Sequence, residues 1–125
     1  DVINLQYGED GERLAVELGN KGITVHQPAE IDLFNDIDDM AALTAALDVY
    51  VGPTTLTAWL TAATGTPALV AGLPGDWVTM NEDCLPWLPQ AHYFARAPRG
   101  TWTSAIEALA AKLDVIVQEK ADNDV

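Results

Sequence analysis

Five short apolar runs of strand type recur along this chain, at residues 2–7, 23–26, 48–51, 67–71 and 92–95, and stretches of helical character lie between most of them. Strands that alternate with helices need crossover connections, and crossovers make neighbouring strands parallel. The expected class is therefore α/β, a three-layer arrangement with a parallel sheet of about five strands covered by helices on both faces.

Local signals set the expected boundaries. Leu14 and Leu18 lie four apart in a helix over 12–20, and Gly19 and Gly22 stop it before the second strand. Asp36, Asp38 and Asp39 open a helix that runs to about Leu47, where carboxylates suit the positive end of the amide dipole. Thr54 or Thr55 caps a helix to Thr64, and Gly65 ends it. Residues 72–90 hold three prolines, two glycines and two tryptophans without a steady period, which reads as a long ordered loop. Thr101 or Thr103 begins a closing helix with an apolar stripe of Ile106, Leu109, Leu113 and Ile116. A single domain over 1–118 is expected, with a frayed acidic tail at 119–125.

Composition excludes several functions. With 49% apolar and 20% charged residues, the 125-residue chain is expected to fold around a core. Its net charge is −13, and no Lys or Arg occurs between Lys21 and Arg96, so nucleic acid is not an expected partner. No apolar run approaches the roughly 18 residues of a membrane-spanning helix, so no membrane insertion is expected. Cys84 stands alone, which excludes an internal disulfide and fits a reducing, cytoplasmic setting. No metal or cofactor is expected, because His26 and His92 are isolated and the acids at 36–39 suit capping better than ligation. The chain begins without Met in what reads as a strand, which suggests a piece of a longer protein.

The sharpest local chemistry is at Gly52-Pro53-Thr54-Thr55, where a strand gives way to a helix. In open parallel sheets ligands bind beyond the carboxyl ends of the strands. Gly52 allows close backbone approach, Pro53 stiffens the turn, and the hydroxyls of Thr54, Thr55 and Thr57 surround a helix start whose amides favour an anion such as a diphosphate. The plainer alternative is that these threonines only cap the helix.

The run from Asp48 to Gly65, followed by Thr66-Pro67, resembles the nucleotide-sugar-binding segment of the heptosyltransferase-like glycosyltransferases, especially bacterial members attached to tetratricopeptide repeats. The strand end Leu5-Gln6-Tyr7-Gly8 and the pattern Asp76-Trp77 with Leu85-Pro86-Trp87-Leu88-Pro89 resemble the same group in the same order. The resemblance implies one Rossmann-like half of a two-domain GT-B enzyme. In that half, Gly52, Thr54, Thr55, Leu56 and Thr57 would hold the diphosphate, with Gln6 and Tyr7 at a neighbouring strand end. Trp59, Asp76 and Trp77 would contact the base or sugar. Thr54 stands where that family usually has Asp and Trp59 where it has His, and the other half of the cleft is absent, so no transfer by this chain alone is expected. The expectation is a domain that binds a nucleotide-diphosphate sugar and works with an amino-terminal domain or helical repeats. An interaction or scaffolding module is the alternative, with Trp77 and Trp87 bracketing its partner surface. A stand-alone protein of flavodoxin or response-regulator type ranks last, because no paired acids follow the first strand.

Overall fold

A computed structural model describes residues 1–82 and 84–123. The backbone forms β1 (Val2–Ile3), α1 (Glu9–Gly19), β2 (Val25–His26), α2 (Ile37–Ala45), β3 (Tyr50–Pro53) and α3 (Leu56–Ala63). It continues with β4 (Ala68–Gly72), a 3-10 turn at Trp77–Thr79, β5 (Cys84–Leu85), β6 (Leu88–Ala95) and α4 (Thr103–Asn123). The helix thus runs through most of the acidic segment expected to fray, whose last two residues lie outside the described ones. Among the described residues, no helix is long and apolar enough to cross a membrane.

The chain divides into two compact units, Asp1–Ala42 and Leu43–Val125, with the boundary inside α2. In the first, β1 and β2 form a two-stranded parallel sheet, with Val2 opposite Val25 and Ile3 opposite His26. β1 is short because the Asn4 side chain turns back on the main chain: its Oδ1 accepts from the Gln6 N–H at 3.0 Å, which diverts the backbone from the ladder. The Asn4 Nδ2 donates to the Gly11 carbonyl at 2.9 Å and to Gln27 Oε1 at 3.3 Å. One buried amide thereby ties the end of β1 to α1 and to the segment after β2. Asp36 caps α2, its Oδ1 accepting from the Asp39 N–H at 3.0 Å, while Asp38 and Asp39 lie in the first turn of the helix.

In the second unit the sheet order is β3-β4-β6-β5. β3, β4 and β6 are parallel, whereas β5 runs antiparallel to β6. The expected five-stranded parallel Rossmann-like sheet, and with it half of a GT-B fold, is therefore corrected to two small sheets of two and four strands, the larger one mixed. The physical reason lies in the segment read as a loop. Leu85 pairs with Leu88, so Pro86 and Trp87 make a two-residue reversal, and such a connection joins strands antiparallel. The five runs also do not share one sheet, because β1 and β2 pair only with each other among the described residues.

The core of the second unit is the central strand. Ala68, Leu69 and Val70 of β4 are fully buried, and α3 and α4 both pack against β4 and β6. α3 turns Ala58, Thr61 and Ala62 inward. Thr61 satisfies its buried hydroxyl by donating to the Thr57 carbonyl one turn back, at 2.7 Å. α4 contributes Ala105 and Leu109, so the inner part of the expected stripe is its start rather than its full length.

Candidate functional site

The parallel register determines what gathers at the carboxyl edge of the larger sheet. Tyr50, Ala68 and Ala91 are paired across the strands, as are Gly52, Val70 and Tyr93, so all six share one face. Tyr50 and Tyr93 are buried, and their rings extend over glycines: a Cβ on Gly52 would overlap the Tyr50 hydroxyl, and one on Gly72 would overlap that of Tyr93. The space above Gly52, expected to admit a ligand, is thus filled by a phenol. Both hydroxyls end among polar groups. Tyr50 Oη lies 3.4 Å from Thr55 Oγ1. Tyr93 Oη is 3.0 Å from the Leu73 carbonyl and 3.1 Å from Asp76 Oδ2. Burial pushes both phenols above their ordinary pKa; the neighbouring hydroxyl of Thr55 at Tyr50, and that of Thr54 at Tyr93, partly opposes this, while Asp76 adds to it at Tyr93.

The expected threonine cap does not form. Thr55 is the N-cap of α3 in an extended conformation, and no side chain accepts from the first turn. The first backbone bond into the helix is from the Trp59 N–H to the Thr55 carbonyl at 3.3 Å, which leaves the N–H groups of Leu56, Thr57 and Ala58 directed out of the helix start. Thr54 Oγ1 is buried and makes no hydrogen bond of good geometry, with Tyr93 beside it.

Across β4, the residue that follows β6 is Arg96. Its N–H donates to the Gly72 carbonyl at 2.9 Å, which fixes it at the same edge. Its guanidinium lies over the Trp102 ring, 5.6 Å from the centroid, and its Nε is buried without an acceptor. A buried donor left unpaired costs about 1–3 kcal/mol, more when the group is charged.

The expected sugar or base contacts divide. Asp76 accepts from the Val78 N–H at 3.3 Å, holding the 3-10 turn, as well as meeting Tyr93. Trp77 follows it and is 78% exposed. Trp59 is half-buried on α3. Gln6 and Tyr7 belong to the first unit, where they line an open cleft with Glu12 and Gln27. Sequence reasoning missed Tyr50 and Tyr93 as site residues. Their signal was present in Tyr50-Val51-Gly52, a large ring two positions from a residue without a side chain on the same strand face. Among the described residues, no group of three or more His, Cys, Asp or Glu side chains could hold a metal ion.

These features define a small mixed-sheet α/β protein with a donor-rich carboxyl edge. It is similar to Protein FlbA of Caulobacter vibrioides (strain ATCC 19089 / CIP 103742 / CB 15), at 34% identity over 111 residues. The match takes in 89% of this chain but 19% of FlbA, so the chain spans about a fifth of that relative's length. No family model matches the chain, and no solved structure matches it. The resemblance to heptosyltransferase-like, GT-B glycosyltransferases is corrected accordingly: no family model supports it, and the mixed sheet lacks the architecture it implied.

Proposed function

We propose that the second unit binds a nucleoside diphosphate, free or as its sugar conjugate, at the carboxyl edge of β3, β4 and β6. The observation that carries this reading is an excess of donors there: the uncapped amides of the α3 start and the buried Arg96 Nε lack acceptors. Phosphate oxygens only accept, and helix N-termini and guanidinium forks match them in charge and geometry. In this reading the N–H groups of Leu56 and Thr57, with the hydroxyls of Thr55 and Thr57, hold the phosphates. Arg96 offsets their charge, and the exposed Trp77 ring offers a face for the base or sugar. The reading is confined to the second unit and excludes Gly52, whose open side Tyr50 occupies.

Calorimetric titration with uridine, guanosine and adenosine diphosphates tests it. Saturable binding is expected for at least one of them, with none for the matching nucleoside. Arg96→Met should weaken binding by about tenfold or more, the loss of one charge-assisted pair. Absence of heat and of any spectral response at millimolar diphosphate would rule the reading out.

A second reading is favoured by one observation: Leu73, Trp77, Met80 and Trp87 are all more than half exposed on the segment between β4 and β6. Aromatic residues and Met are enriched where proteins meet partners. In that case this segment docks further polypeptide, such as an amino-terminal domain or helical repeats, consistent with a match to only a fifth of FlbA. Protection of Trp77 from acrylamide quenching by added flanking polypeptide, with no protection by diphosphate, would select it. Either role suits a cytoplasmic setting, where the single Cys84 remains a free thiol.

A further inference from the structure

The first unit carries a site of opposite preference. An open cleft of about 200 Å³ is formed where the end of β1, the start of α1 and the segment after β2 converge. Tyr7, Glu12, Gln6, Gln27, Ile31 and Leu33 are on its lining, and no Lys or Arg is among the lining residues. We propose that this cleft binds a small organic cation, an alkylammonium with a short apolar portion.

Four observations converge. Glu12 supplies a carboxylate at the rim, free of any ion pair among the described residues, since Arg13 beside it is engaged by Asp10 at 3.1 Å and by Glu17 at 4.0 Å. Tyr7 supplies an aromatic ring held in place by an edge-to-face contact with Phe34, with centroids 5.1 Å apart. An ammonium near such a ring is attracted by its quadrupole. Ile31 and Leu33 offer apolar surface for an alkyl stem, whereas the Gln27 carbonyl oxygen is engaged by the Asn4 amide and leaves the carboxylate of Glu12 as the acceptor for the ammonium. Finally, the first unit has ten carboxylates against two cations, so the field over the cleft attracts positive charge.

The amide dipole at the α1 start opposes a cation, because Gly8 also lines the cleft. That end carries roughly half a positive charge, falling off within a turn. Glu9, Asp10 and Glu12 in the same turn outweigh it. The volume sets the ligand's size: at about 30 Å³ per water, the cleft holds the equivalent of about seven waters. That suits a short amine rather than a nucleotide.

The test is an amide NMR titration of the whole chain with n-butylammonium and, separately, with n-butanol, its neutral counterpart. Saturable shifts centred on Tyr7, Gln27 and Ile31 are expected for the ammonium at a Kd on the order of 1 mM, and about tenfold weaker for the alcohol. Glu12→Gln should remove that preference. Asp38→Asn, which lies in a separate acidic depression with Asp32 and Asp36, should leave it unchanged. Equal binding of the two probes, no saturable shift at the cleft, or an effect of Asp38→Asn as large as that of Glu12→Gln would overturn the proposal. If Glu12→Gln fails to fold, the comparison of probes on the unaltered chain still decides it, and Tyr7→Leu gives a second variant expected to weaken the ammonium selectively.

Discussion

The two units are stabilised in different ways. Among the described residues, Met40 is the buried apolar side chain of the first, whereas the second buries Tyr50, Leu69, Val70, Val78, Leu85, Tyr93 and Leu109, with several alanines. The first unit instead has Asn4 at its centre, 4% exposed, with its amide bonded to α1 and to Gln27. A segment of about 40 residues rarely buries enough surface to be stable alone. Polar tethering therefore organises the first unit and close packing the second, which teaches where each tolerates change. The second can place donors rigidly at a strand edge. The first presents an open, charged cleft on a scaffold of lower local stability.

Substitutions can break this contrast. The largest expected effect is at Leu69, fully buried in the central strand: Leu69→Ala should cost about 2–5 kcal/mol in denaturant unfolding of the second unit. A cost below about 1 kcal/mol would mean that β4 is not the packed centre. Gly72→Ala should follow, at about 1–3 kcal/mol, because the new methyl overlaps the Tyr93 hydroxyl. Tyr93→Leu in the same chain, which removes the ring carbons that overlap the methyl along with the hydroxyl, should recover part of that loss, and purely additive effects would show that the phenol does not lie over Gly72.

In the first unit, Asn4→Ala removes the side-chain bonds that tie the end of β1 to the Gly11 carbonyl and to Gln27, and should cost about 1–3 kcal/mol. Amide exchange should accelerate over residues 1–42, with β4 and β6 unchanged. Equal acceleration in both units would remove the distinction between them. The smallest effect concerns pH. Burial, assisted by the nearby Lys112 charge, lowers the His92 pKa in the folded state. The neutral ring is therefore the favoured form, and its contribution to stability is present above pH 6.5 and lost as pH falls through the lowered value. His92→Gln should flatten the stability of the second unit between pH 7 and pH 5, and an unchanged slope would assign the acid sensitivity elsewhere.

How legible the molecule was in its sequence also differs by region. The strand and helix around Gly52 were readable as elements from Tyr50-Val51, Thr55 and Gly65, but the strand lies two residues later than the expected 48–51 and includes Gly52 and Pro53. The hairpin of β5 and β6 was not, because prolines at 86 and 89 and tryptophans at 77 and 87 mask the period of two. Its pairing depends on β4 being present to template β6. Sheet membership was equally hidden: β1 and β4 are both apolar runs, and only tertiary contacts send one into a two-stranded sheet and the other into the centre of a four-stranded one. At the candidate site, the turn at Thr54 and Thr55 was visible from residue types. The placement of Arg96 was not, since it sits some 40 positions away and is brought to the same edge by the register of β4 with β6.

In the proposed function, the N–H groups at the α3 start, together with Arg96, donate to the phosphate oxygens of a nucleotide. Amide NMR during titration with a nucleoside diphosphate tests it residue by residue. The account predicts that the largest shifts fall on Leu56, Thr57, Ala58 and Arg96, saturate, and are absent with the nucleoside alone. Shifts confined to the segment around Trp77, or none at millimolar ligand, would contradict it.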